Sequence, residues 1–172
     1  MRILNIDPGP IESAFALLDE MARPLAFAKV PNDDLARFLV PAGGHTPWIG
    51  TPDLVAIEMV ASYGMAVGAE VFDTCVWIGR YAQLAENAGS RTLLVKRPDV
   101  KMHHCHNRGA KDSNIRQALV DRFAYGQPNF GKGTKKSPGF FYGFGADVWQ
   151  AYALGVKVVD DLNDGAALQI PA

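Results

Sequence analysis

"ILNIDPG", residues 3–9, decides how the rest of this chain is read. Ile3, Leu4 and Ile6 run into Asp7, and Pro8-Gly9-Pro10 follows at once. Apolar residues that stop at Pro and Gly mark a strand entering a turn. A carboxylate at the end of a buried strand is costly unless something compensates it. Asp7 therefore either hydrogen-bonds its own turn or holds a cation.

Working outward, residues 2–6 are a strand, and 13–20 and 25–30 are two more, joined by a turn over 21–24. Three strands in series predict an antiparallel meander. Residues 41–52 form a Gly/Pro-rich loop, and "LVAIEMV" (54–60) is an apolar strand interrupted by Glu58. From Ala69 the spacing turns helical, with Val71, Cys75, Ile78 and Leu84 near one stripe and Gly89 as the stop. Residues 91–97 are a short strand. Residues 112–124 have a helix-capping start and Ile115, Leu119 and Phe123 on one face. The 125–145 stretch is too long for a plain connector. A last helix over 146–162 carries Asp147 near its start. The pattern predicts an α/β protein: a five-stranded mixed sheet with helices on both faces.

Bulk properties narrow the classes. A chain of 172 residues is expected to form a single domain over 1–172. It is 48% hydrophobic, yet no apolar run is long enough to span a bilayer. Asp7 interrupts the stretch where a signal peptide would continue, so a cytoplasmic location and no membrane partner are expected. Cys75 and Cys105 suit reduced thiols. A net charge of −1 does not announce a nucleic-acid binder, but "KRPDVKMHHCHNRGAK" (96–111) and "GKGTKK" (131–136) concentrate positive charge locally.

Three acids sit where the pattern is otherwise apolar: Asp7, Glu58 and Asp147. If the two acidic strands are neighbours, Asp7 and Glu58 become like charges a few ångströms apart, which demands a cation or a raised pKa. All-oxygen ligands suit Mg²⁺ or Mn²⁺, and such ions assist phosphodiester cleavage. Each acid also has an ordinary use. Asp7 suits a turn, Asp147 a helix N-terminus, and Glu58 a salt bridge.

The ordered set of motifs resembles the RuvC-type Holliday junction resolvases of the RNase H-like nuclease superfamily. "ILNIDPG" is similar to that family's opening strand. "VAIEMVASYGMAVGAEVF" is similar to its second acidic strand and following loop, "KRPDVKMHHCHNRGAKDSNIRQAL" to its basic segment, and "ADVWQAYALGV" to its final acidic helix. "VFDTCVWIGR" and "KGTKK" look closer to phage or prophage versions. The resemblance implies an RNase H-like fold and a metal-dependent endonuclease that resolves four-way and other branched DNA as a homodimer, with Mg²⁺ or Mn²⁺ and no small-molecule cofactor. The helix over 69–88 would be the seam. Asp7, Glu58 and Asp147 fall on three of the family's four metal-binding acids. The fourth position is Gln150; the alternatives are a fourth acid from elsewhere, or a shifted register in which Asp147 matches the later acid and Phe144 the earlier, and each leaves a full second metal site in question.

Lys101 and Lys111 match basic positions of the family, which implies contacts to phosphates near the cut; Lys111 is the catalytic candidate. Arg108 and Arg116 are further phosphate candidates. Tyr63, with Met65, falls in the loop that approaches the branch point in resolvases. Lys132, Lys135 and Lys136 make the 131–136 segment a flexible basic loop for DNA. Trp77 and Tyr81 suit core or dimer interface. His103-His104-Cys105-His106 is a poor zinc site: on an extended segment adjacent side chains diverge, and no partner Cys or His pair exists elsewhere. Imidazole donors to phosphate are the expected use. Competing readings are a nuclease for flaps, forks or RNA–DNA hybrids, a non-catalytic DNA-binding relative, and an actin-like ATPase, whose second phosphate motif is missing.

Overall fold

The computed structural model describes residues 1–40, 50–61, 64 and 68–165. Among them, β1 (Ile3–Asp7), β2 (Glu12–Leu18), β3 (Pro24–Pro31), β4 (Leu54–Met59) and β5 (Arg91–Lys96) form a 5-stranded sheet in the order β3-β2-β1-β4-β5. The first three are the expected antiparallel meander. Gly9 makes the first turn possible, because a Cβ there would lie 2.5 Å from the Glu12 carbonyl oxygen. Asn32 locks that turn: its Nδ2 donates to Gly9 O at 2.9 Å, and its Oδ1 accepts from Ser13 Oγ at 2.7 Å. In the second turn the Asp19 carboxylate accepts the backbone N–H of Met21 and of Arg23, each at 2.9 Å. β4 then pairs parallel to β1, and β5 parallel to β4.

Side-chain alternation along the central strands sets the two layers. Leu4, Ile6, Val55 and Ile57 face α1 (Asn32–Leu39) and α2 (Ala69–Asn87). Ile3, Leu54 and Ala56 face α3 (Arg97–Cys105), α4 (Asp112–Phe123) and α5 (Ala146–Asn163). α5 is buried along most of its length and crosses the sheet so closely that a Cβ on Gly155 would lie 2.4 Å from Leu18 Cδ1 and 2.5 Å from Asn5 Nδ2.

Three expectations need correction. The sequence reading assigns no helix between residues 31 and 40, yet α1 is there; it is only 8 residues long, and Leu35, Ala36 and Leu39 form the single apolar face that holds it. The buried stripe of α2 is Thr74, Ile78, Tyr81 and Ala85, which shares only Ile78 with the expected stripe of Val71, Cys75, Ile78 and Leu84. Apolar residues occupy more than one side of α2, with Phe72 63% and Val76 61% exposed, so its period alone is ambiguous. Residues 97–105, given no helix in the sequence reading and taken as extended at 103–106, are helix α3; only Val100 in it is buried, so no apolar period announces it.

The 41–52 loop lies mostly outside the described residues. The 125–145 segment is anchored rather than loose. Phe141 and Phe144 are buried and pack on Trp149 of α5 with ring centroids 4.4 and 5.1 Å apart. A bridge between Gly133 and Pro138 closes a tip that carries Lys135 and Lys136.

Candidate active site

The same alternation that sorts the core aims the acids. Asp7 shares the parity of Ile3, and Glu58 that of Leu54 and Ala56, so both project toward α5. Ile6 is level with Ile57 in the parallel β1–β4 pair, so Asp7 and Glu58 leave the strands side by side at their carboxyl ends. α5 starts over this edge, and Asp147 occupies its first turn. The carboxyl ends of parallel strands are where open α/β sheets place ligands. Here they open into a cleft of about 490 Å³ lined by Asp7, Glu58, Arg97, Asp112, Arg116, Asp147 and Gln150 among others.

Burial, and after it the neighbouring Glu58 carboxylate, pushes the Asp7 carboxyl up to about 7. Glu58 is raised as well by burial, against the opposing pull of Arg97. Arg97 Nη1 donates to Glu58 Oε2 at 3.0 Å, and Nη2 donates to Asp112 Oδ1 at 2.6 Å and to Gln150 Oε1. Asp147 Oδ2 is 2.8 Å from Lys29 Nζ of β3. Among the described residues no three His, Cys, Asp or Glu side chains are already drawn together as a metal cage. The donors at the cleft are nevertheless carboxylate and amide oxygens, the set a hard divalent cation takes. A positive guanidinium, that of Arg97, already sits among them.

Comparison with known proteins addresses the fold. No protein-family model matches the sequence. No curated protein matches it. Solved structures do: Thermus thermophilus RuvC, at TM-score 0.67 and 16% identity over 98% of this chain and 99% of that one, and the same protein in complex with Holliday junction substrate, at 0.67 and 15% over 98% of each. The Fowlpox virus resolvase in complex with its substrate Holliday junction DNA aligns at TM-score 0.54 and 16% identity, over 94% of this chain and 99% of that one. The fold is RNase H-like.

Of the residues singled out in the sequence, Asp7, Glu58 and Asp147 meet at one cleft, and Gln150 points into it as the helical spacing predicts. Lys101 on α3 is half-buried and close enough to favour the charged form of Glu58. Lys111, exposed at the N-cap of α4, is next to Asp112 but does not line the cleft. Arg108, Lys135 and Lys136 are exposed and Lys132 is half-buried, all apart from the cleft lining. Tyr63 and Met65 lie outside the described residues.

The histidines depart from expectation. His103 Nε2 meets Asp160 Oδ2 at 2.8 Å and His104 Nε2 meets the Ala153 carbonyl at 2.8 Å, both against α5. Burial drives the His104 imidazole down to about 4, so it is neutral near pH 7 and offers no charge to a phosphate. Helix α3 turns these rings inward, which an extended segment would not. Sequence reasoning missed Arg97 and Asp112. The available signal was positional: Arg97 directly follows an apolar strand, as the turn after Asp7 does.

Proposed function

We propose that this protein is a metal-dependent, structure-selective endonuclease that hydrolyses phosphodiester bonds at four-way and other branched DNA junctions, working as a homodimer. The observation that carries this reading is the Asp7–Glu58 pair, two carboxylates held side by side at the ends of adjacent parallel strands and faced by Asp147. Like charges so placed are stable together only with a cation or a bound proton.

Asp7, Glu58 and Asp147 would hold Mg²⁺ or Mn²⁺. Such an ion, when bound, lowers the pKa of a coordinated water and stabilises charge on the phosphate. The protein's own residues do the rest. Asp7, whose raised pKa favours the protonated form in the free chain, would release that proton to solvent on serving as an anionic ligand. Lys101 and Lys111 meet phosphates beside the cut, and Lys111, outside the cleft lining in the free chain, opposes negative charge as it develops once DNA is bound. Arg108, Lys132, Lys135 and Lys136 contact the backbone of the duplex arms, and Tyr63 stacks at the branch point.

A four-way junction has two-fold symmetry, and a C2 dimer presents one site to each of two strands. Phe72 and Val76, exposed on α2 at 63% and 61%, suit the seam. Among the described residues no helix is long and apolar enough to cross a membrane. The proposed setting is the cytoplasm of a bacterial cell, with branched replicating phage DNA as the natural substrate.

One observation favours a second reading: Gln150 is neutral and Arg97 occupies the acids, which suits a DNA-binding relative that does not cut. A single assay separates the two. Four-way, forked, linear and RNA–DNA substrates are incubated with and without Mg²⁺ or Mn²⁺. Paired nicks in the four-way junction, dependent on metal, are expected. Junction binding with no cleavage under any metal condition would favour the second reading, and a preference for forks or hybrids would reassign the substrate.

A further inference from the structure

We propose that the Arg97 guanidinium is the second positive charge of this site, standing in for a second metal ion, so that each chain holds one divalent cation while cutting. The inference rests on the nuclease reading above and names how its chemistry is shared between an ion and a side chain.

A two-ion clamp needs anionic oxygens around both ions. On the α5 side of the cleft the position one turn after Asp147 carries the neutral amide of Gln150. Arg97 reaches that amide and also binds Glu58 at 3.0 Å and Asp112 at 2.6 Å. One permanently charged group thus takes up the space between a strand acid, a helix acid and the amide. Its position is not an accident of a long exposed side chain. Arg97 is the first residue of α3, directly after β5, and its side chain is only 15% exposed. The sheet therefore fixes its backbone at the same edge that presents Asp7 and Glu58.

A guanidinium has five N–H donors. Nη1 spends one on Glu58, and Nη2 spends both on Asp112 and Gln150. Nε–H and the second Nη1–H remain for a ligand, and Arg97 lines the open cleft. With both Nη2–H spent these two N–H groups are not an adjacent parallel pair, so each suits a single charge-assisted bond to a phosphate oxygen. Glu58 Oε2 accepts from Arg97, and Glu58 with Asp7 and Asp147 would hold the single ion. Arg97 neither takes nor gives a proton in this role. It holds charge against the phosphate that a second ion would otherwise hold.

The test counts ions. The full chain, bound to a cleavage-resistant four-way junction, is titrated with Mn²⁺ while free Mn²⁺ is followed by electron paramagnetic resonance, and binding to the junction alone is subtracted. One Mn²⁺ per chain is expected for the unaltered protein, and two for Arg97→Met/Gln150→Asp, where the guanidinium is gone and an acid is restored. Two ions per unaltered chain, or one in the double variant, would overturn the role of Arg97 and leave the nuclease reading standing. Zero ions, unchanged by Asp7→Asn, would overturn both. If the double variant does not fold, Gln150→Asp alone decides. With Arg97 in place it stays at one ion, and a count of two would show that Arg97 does not exclude the second.

Discussion

Of the arginines clasped by carboxylates, Arg122 and Arg97 sit in clasps of opposite character. Arg122 of α4 donates from Nη1 and Nη2 to Asp160 of α5 at 2.6 and 2.8 Å, and His103 of α3 meets the same carboxylate. One full cation faces one anion, and three helices are tied together. Burial would raise the Asp160 carboxyl, but the hydrogen bonds from Arg122 and His103 outweigh it and hold the group below its ordinary value. At the other cluster Arg97 faces Glu58 and Asp112 directly, with Asp7 and Asp147 on the same cleft. Asp147 is also paired with Lys29 and Arg116 lines the same cleft, but among the described residues no ion pair reaches Asp7, and burial first, then Glu58, lift its carboxyl to about 7. A balanced pair is a fastener. An unbalanced one stores repulsion that a ligand can relieve, which is why perturbed carboxyls point to functional clefts.

The largest expected effect separates the clusters by activity. Asp7→Asn should lower junction cleavage by more than about a hundredfold, above the usual range for losing an outer-shell partner of a metal site. Junction affinity should hold or rise, because one charge that repels phosphate is gone. Single-turnover cleavage and equilibrium binding on the same junction check this. Near-normal cleavage would remove Asp7 from the metal site.

Asp160→Asn should do the reverse. Weakening charged hydrogen bonds to Arg122 and His103 is expected to cost about 1.5–3 kcal/mol of stability, read by urea unfolding, with cleavage unchanged at a temperature where the variant is folded. Lost cleavage in a folded Asp160→Asn protein would show that the two clusters are coupled.

A pH series sharpens the same contrast. Asp7 binds its proton more tightly in the folded chain, at about 7 against 3.8 for the ordinary carboxyl. Its contribution to stability is fully present below 3.8 and is lost as pH rises through about 7. The metal-free melting temperature should fall across that window, the fall should flatten in Asp7→Asn, and Mn²⁺ should reverse it. For Asp160, lowered in the fold, the contribution is present above the ordinary carboxylate pKa and lost in acid.

The smallest effect belongs to the exposed tip of the 125–145 segment. Lys135→Ala should reduce the slope of log affinity against log salt by about 0.9, the value for one duplex phosphate contact. Lys111→Ala should instead lose cleavage rate with little loss of affinity. Equal behaviour of the two variants would return Lys111 to ordinary surface charge.

Much of this architecture was legible in the residues. Apolar runs ending in Pro-Gly marked β1 and its turn, the meander followed from closely spaced strands, and Glu58 stood out because it interrupts an apolar strand. The period of α4 placed Ile115 and Leu119 in the core, where they are buried. α3 was not legible, because only Val100 of its 9 residues is buried; α1 does carry an apolar face of Leu35, Ala36 and Leu39, but over only 8 residues. The stripe of α2 was misplaced because apolar side chains occur on more than one side of it.

By itself the sequence determined which residues are chemically out of place: three acids in apolar elements, and a glutamine one turn beyond the last. Those are local facts, set by composition and spacing. Only the tertiary structure decided what the acids face. Arg97 reaches partners 39, 15 and 53 residues away in the chain, through the parallel pairing of β4 with β5 and the crossing of α5 over the sheet. No periodicity encodes such meetings, because strand order and helix docking are settled by burial of the whole core and not by any segment of it.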